Sequence, residues 1–180
     1  MHHWYSICCI FCILGRNLTK FILLIFTNYI FSSDQAFLHY NIPLNFNETL
    51  NWYKNKSKIS RIDCIIEYNE VPVGLIGLLE IDKKSNKAEM YITIGNTEFK
   101  RKGIAFKSIN MILEYAFNEL SLNKIYLNVD AENIPACSLY EKVGFIQEGY
   151  FSQDLMHRNK LIDRKRYAVI KDNYCKGENK

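Results

Sequence analysis

The sequence predicts a mixed α/β fold of the α+β kind: a mostly antiparallel sheet with one central parallel strand pair and helices on its flanks. Three observations lead there. Apolar runs at 62–67, 71–81 and 88–94 follow one another through short polar turns, which makes them antiparallel neighbours. The period then lengthens: Ile104, Ser108, Ile109, Ile112, Leu113, Ala116 and Phe117 recur mainly at three- and four-residue spacing through Leu120, an amphipathic helix. Ile125, Leu127 and Val129 alternate after it as a strand. Strand, helix and strand in succession form a right-handed crossover, so 88–94 is expected to lie parallel to 125–129.

The remaining elements follow in chain order. Residues 13–18 read as a first strand, and a helix starting near Thr19 buries Ile22, Ile25 and Phe26. Asn47 caps a short helix carrying Leu50, Trp52 and Tyr53. Tyr68-Asn69-Glu70 is a turn, the strand at 71–81 contains Gly74 and Gly77, and Asp82-Lys83-Lys84-Ser85-Asn86 is a polar hairpin loop. A second helix runs over 134–142 and ends at Gly144, a C′ residue. Residues 145–148 and 166–170 are the closing strands, and no internal repeat interrupts the order.

Composition narrows the function classes. A chain of 180 residues, 48% hydrophobic, suits one globular domain at 13–175, with an apolar leader at 1–12 and a polar tail at 176–180. The net charge of +4 comes without a basic run that could track phosphates, which argues against nucleic acid and leaves room for an anionic cofactor. Cys8, Cys9 and Cys12 crowd the N-terminus while Cys64, Cys137 and Cys175 are scattered, which reads as reduced, intracellular usage, hence a cytoplasmic protein. Cys9-x-x-Cys12 has no second ligand pair behind it, so no metal is expected. The apolar runs at 4–14 and 21–26 are broken by Gly15, Arg16 and Lys20. Each falls short of the about 20 residues a membrane helix needs. Met1-His2-His3 also lacks the basic start of a signal peptide.

Two motifs carry chemistry. Lys100-Arg101-Lys102-Gly103-Ile104-Ala105 stands where a strand gives way to the long helix. Unpaired backbone N–H groups and the positive dipole end of a helix hold a pyrophosphate. Gly103 lets the backbone come close, small Ala105 leaves the approach open, and three cations add attraction. A solvated basic turn would look the same, and the loop is neither a P-loop nor a GxGxxG fingerprint. The second motif, Asn133-x-x-Ala136-x-x-Leu139-Tyr140-Glu141-Lys142-x-Gly144-Phe145, is far more specific.

That string resembles the Asn-x-x-Ala-x-x-Leu-Tyr-x-Lys-x-Gly-Phe signature of the GNAT acetyltransferases, with their Arg/Gln-x-x-Gly-x-Gly/Ala cofactor loop at the right distance upstream. The likeness is strong over 52–170 and is nearest to the branch of ribosomal-protein alanine, spermidine and amino-sugar acetyltransferases. Before that it is thinner, although 13–19 looks like that branch's opening strand with Gly15 inserted. Lys100 stands where Arg or Gln is usual, which keeps the charge. The resemblance implies acetyl-CoA as co-substrate and a primary amine as acceptor, on an amino sugar, a polyamine or a protein N-terminus. A second copy of the chain is a candidate partner.

The resemblance also implies roles by residue. The backbone of Tyr91, Ile92, Thr93 and Ile94 pairs with the pantetheine arm. Amides of Arg101, Lys102, Gly103, Ile104 and Ala105, with Lys100 beside them, hold the pyrophosphate. Asn133 and Lys142 border the cofactor, and Tyr140 protonates the leaving thiolate. A phenol, with a pKa of about 10 in solution, matches a departing thiolate. Glu89, fourteen residues before Gly103, is the first candidate for the base that takes the amine's proton, and Glu80 is the reserve. Asn128 occupies a position where some relatives place a carboxylate base, and an amide cannot do that work.

Bland readings hold for other residues. His39 and His157 read as solvated loop histidines, Trp52 and Tyr53 as core. Asp163-Arg164-Lys165-Arg166 reads as either an anion site or a charged strand edge. Specificity is expected in the first two helices and in a segment at 151–160. Two other classes remain: a non-catalytic acyl-CoA-binding regulator, opposed by intact Asn133 and Tyr140, and a membrane-anchored protein, opposed by the broken apolar runs.

Overall fold

The computed structural model describes residues 60–95, 97–157 and 159–177. The expected strand at 13–18, both N-terminal helices, the leader, His39, Trp52 and Tyr53 lie outside the described residues. The described chain runs β1 (Ile62–Tyr68), β2 (Val71–Asp82), β3 (Lys87–Ile94), a 3-10 turn (Thr97–Phe99), α1 (Ile104–Glu114), a π turn (Tyr115–Glu119), β4 (Lys124–Asp130), α2 (Ile134–Val143), β5 (Ile146–His157), β6 (Lys160–Ile170) and α3 (Lys171–Gly177). The strands form one six-stranded sheet in the order β1-β2-β3-β4-β6-β5. β3 and β4 are parallel; β6 pairs antiparallel with β4 on one side and β5 on the other. This is the mixed, mostly antiparallel sheet with a central parallel pair that the sequence predicts.

Turn chemistry sets the first strands. Asn69 and Glu70 both adopt positive φ, +50° and +65°, as a two-residue hairpin turn requires. Asp82 Oδ1 accepts from the backbone N–H groups of Lys84 (2.9 Å) and Ser85 (3.0 Å), closing the next turn. At Gly74 a Cβ would sit 2.2 Å from the carbonyl oxygen of Thr93, so only glycine lets β3 approach there.

By compactness the chain divides into two units, Met1–Gly77 with Ile92–Ser108, and Leu78–Tyr91 with Ile109–Lys180. The described core of the first is Cys64, Ile65, Ile66, Val73, Leu75, Ile76 and Ile104. In the second, Ile109, Ile112, Leu113, Ala116 and Phe117 are buried while Glu114 and Asn118 are exposed, as the helical period requires. The helix was expected to run unbroken to Leu120. Instead it widens into the π turn, with the Leu120 N–H donating to the Tyr115 carbonyl at 3.2 Å, and both Ala116 and Phe117 stay buried.

The C-terminal third departs further. The closing strands are 12 and 11 residues long, where short ones at 145–148 and 166–170 were expected. The segment at 151–160, expected to be a specificity segment, belongs to this ribbon, and His157 ends β5 half-buried. Its sequence lacks apolar alternation because β5 is exposed along most of its length. Cross-strand polar bonds compensate: Asp163 accepts from the Tyr150 hydroxyl and, at 2.8 Å, from the Gln153 N–H, and Arg164 pairs with Asp154. β6 is an interior strand, so Asp163-Arg164-Lys165-Arg166 is not the charged edge weighed above. α3 was not anticipated. Lys171 Nζ donates to the Phe117 carbonyl (2.8 Å), and Tyr174 donates to Asn110 Oδ1 (3.2 Å). No described helix is long and apolar enough to cross a membrane.

Candidate active site

The first unit carries the basic loop. Arg101 and Gly103 both adopt positive φ, +60° and +75°. The Gly103 carbonyl accepts the Lys107 N–H at 3.1 Å, which makes Gly103 the residue that opens α1. Buried Ile104 anchors the first turn, and Ala105 behind it is half-buried. A Cβ on Gly103 would meet nothing within 4 Å, so it is the backbone angle that demands glycine here. No acidic residue occupies the first turn of α1, so no carboxylate neutralises its positive end. Arg101 and Lys102 are exposed and Lys100 is half-exposed; the Lys102 ammonium lies 5.2 Å from the centroid of the Phe99 ring. Amides, dipole and three cations suit a pyrophosphate. Ile92, Thr93 and Ile94 end β3 half-buried, and the Gly95 N–H donates to the Val73 carbonyl at 2.9 Å.

The second unit carries α2. Asn133 caps it, its Oδ1 accepting from the Ala136 N–H at 3.3 Å, with Pro135 in the first turn. Gly144, at φ +106°, ends it: the Gly144 N–H donates to the Glu141 carbonyl and the Phe145 N–H to the Tyr140 carbonyl, both at 3.0 Å. The Asn and Gly of the motif, with Pro135 between them, are therefore the start and stop of this helix. Lys142 is exposed in the last turn, where a cation complements the dipole.

Between those ends Tyr140 is 8% exposed, its ring edge-on to Phe145 (5.9 Å between centroids) and tilted against Tyr167 (6.2 Å). Burial pushes its phenol pKa well above the ordinary value, and the Cys137 thiol one turn earlier adds to the rise. Tyr140 thus keeps its proton at neutral pH, and the rise takes it above the match to a departing thiolate expected from the solution value. Among the described residues no group hydrogen-bonds its hydroxyl, whereas the Tyr167 hydroxyl is committed to Glu141 Oε1 at 2.7 Å. Burial, followed by that bond, holds the Tyr167 pKa up as well.

The third group forms where the parallel pairing runs out. The register between β3 and β4 is Lys87↔Lys124, Ala88↔Ile125 and Glu89↔Tyr126, while both strands continue, to Ile94 and Asp130. Glu89 is half-buried there, its Oε1 accepting from Asn128 Nδ2 at 2.8 Å. Asn128 Oδ1 accepts in turn from Arg166 Nε at 3.1 Å. The Arg166 guanidinium covers the rings of Tyr126 (4.9 Å) and Phe151 (5.6 Å). The Tyr126 hydroxyl donates to Glu80 Oε2 at 3.2 Å. Burial, then the charges of Glu89 and Glu80, push the Tyr126 pKa up to about 12. Tyr91 lies two residues beyond Glu89, half-buried.

Glu89 and Glu80, both named from sequence, thus border one tyrosine. Asn128 is excluded as a base on sequence grounds, and neither Tyr126 nor Arg166 is named there for this site. A signal existed: Tyr126 and Asn128 alternate in sequence with Ile125, Leu127 and Val129, which are buried, so the strand has a polar face. Among the described residues no three or more His, Cys, Asp or Glu side chains gather as a metal site.

A sequence model described as an acetyltransferase (GNAT) domain matches residues 25–146, about two thirds of the chain. The chain belongs to the GNAT family. Among GNAT relatives, the spermidine N(1)-acetyltransferase of Vibrio cholerae is 38% identical over 102 residues, 57% of this chain and 58% of that one. The Escherichia coli K12 enzyme of the same name is 35% identical over 105 residues, 58% and 54% of the two chains. These alignments span little more than half the length of the curated relatives. A crystal structure of the Vibrio cholerae spermidine N-acetyltransferase in complex with CoA and spermine is similar to this GNAT fold with a TM-score of 0.73 and 30% identity, covering 90% of this chain and 95% of that one.

Proposed function

We propose that this chain is an acetyl-CoA-dependent N-acetyltransferase whose acceptor is a polyamine of the spermidine type. The observation that carries the transfer is Tyr140: a phenol packed against Phe145 and Tyr167 and locked on a helix capped at both ends. The basic loop supports the co-substrate, since three cations and an acid-free helix start suit a pyrophosphate. The spermidine N-acetyltransferases among the relatives support the acceptor, as do the Glu80 and Glu89 carboxylates beside Tyr126, which suit a cationic amine.

In this reading the backbone of Tyr91 to Ile94 holds the pantetheine arm, and the amides from Arg101 to Ala105, with Lys100, hold the pyrophosphate. Asn133 and Lys142 lie along the cofactor. Glu89 takes one proton from the bound ammonium, with Glu80 in reserve. The neutral amine attacks the thioester carbonyl, a C–N bond forms, and the C–S bond breaks with its electron pair going to sulfur. Tyr140 gives that sulfur its proton and is re-protonated by the one the acylated nitrogen sheds. The products are an acetylated amine, coenzyme A and one proton.

The test is thiol release from acetyl-CoA by the purified full chain, offered spermidine, spermine, an amino sugar or a peptide with a free N-terminus. Spermidine and spermine are expected to be acetylated, with the product mass confirming it. Release with the peptide alone would move the acceptor to protein N-termini. Binding of acetyl-CoA without release to any amine would make the chain a regulator.

A further inference from the structure

The carboxylate of Glu89 does not face its surroundings unaided. Its Oε1 receives the Asn128 amide at 2.8 Å, and the same amide's oxygen receives Arg166 Nε at 3.1 Å. The Arg166 guanidinium itself lies over two aromatic rings, those of Tyr126 and Phe151. A guanidinium only donates, so its bond fixes which end of the Asn128 amide is oxygen and turns the NH₂ toward Glu89. Four neighbouring elements meet here: β2 brings Glu80, β3 Glu89, β4 Tyr126 and Asn128, and β6 Arg166.

We propose that Asn128, oriented by Arg166, is the positioning residue that aims the Glu89 carboxylate for proton removal from the acceptor amine. The proposal rests on the reading of Glu89 as the base. An amide suits the place because it donates to one charge and accepts from the other, whereas a carboxylate would pair with Arg166 and repel Glu89. Asn128 itself transfers no proton.

Among the described residues Tyr126 interacts with the Glu89 charge, and Glu80 and Arg166 join the same cluster through Tyr126 and Asn128; the test changes only the Asn128 bridge. In Asn128→Asp, nearly isosteric, a second carboxylate faces Glu89, so the acid limb of kcat/KM with spermidine should move up by about one pH unit. Asn128→Ala should lower kcat/KM about 10-fold in the wild-type background but about 2-fold or less in Glu89→Gln, because the aimed group is gone. Arg166→Lys keeps the charge but loses the Nε donor, and should reproduce a milder form of Asn128→Ala. Thermal melting verifies that each variant folds. If Glu89→Gln depresses neutral-pH activity while the Asn128→Asp profile stays in place and the Ala and Gln losses multiply, the positioning role is overturned and the base stands. If Glu89→Gln changes nothing, both fall together.

Discussion

At position 128 the difference between an amide and an acid is one oxygen against one nitrogen, yet it decides how two charges 77 residues apart in sequence are joined, since Asn128 touches both Glu89 and Arg166. The same cluster leaves a mark on stability. Tyr126 is pushed up to about 12 in the folded chain by burial and by Glu89 and Glu80, whereas an unfolded tyrosine titrates at about 10. Its folded pKa is the higher one, so the stability it contributes is complete below pH 10 and is lost as pH rises toward 12. Tyr140 and Tyr167 shift in the same direction. Denaturant midpoints of the wild type should therefore fall steeply between pH 10 and 12, and those of Tyr126→Phe should fall less. Parallel curves for the two proteins would mean that Tyr126 titrates normally in the fold.

Among the elements, α1 and α2 are the most legible in the sequence because their signals are local. Asn133, Pro135 and Gly144 mark a start and a stop within twelve residues, and the three- and four-residue spacing from Ile104 marks a buried face. The ribbon of β5 and β6 is legible only at its ends. Its middle is held by Tyr150–Asp163 and Arg164–Asp154 contacts and by a shift of register between Phe151 and Leu155, none of which leaves a period-two pattern. The loop before α1 yields a prediction at this scale. Gly103→Asp puts a negative charge beside the helix start, and acetyl-CoA binding measured by calorimetry should be abolished. Gly103→Ala shares the cost of φ +75° but not the charge, and should retain measurable binding. Equal affinities for wild type and Gly103→Asp would remove the loop from the site.

Across the described chain, the three antiparallel neighbours, the central parallel pair and the family are readable before any coordinates, because short polar turns, one change of period and one thirteen-residue motif specify them. What the sequence could not reveal is the company each site residue keeps. The bonds from Asn128 span 38 and 39 residues and join three strands, a relation set by sheet register alone. Burial of Tyr140 depends likewise on Phe145 and Tyr167, one of them on β6. Tyr140 is the centre of the functional account as the proton donor to a leaving sulfur; burial keeps its proton on but does not make it a stronger acid. Tyr140→Phe removes the hydroxyl and leaves the ring packing in place. Thiol release from acetyl-CoA with spermidine, measured at saturation beside calorimetric affinity for acetyl-CoA, should show kcat lowered about 100-fold or more with affinity nearly unchanged. Wild-type turnover in Tyr140→Phe would contradict the account, making Tyr140 a packing residue and water the acid.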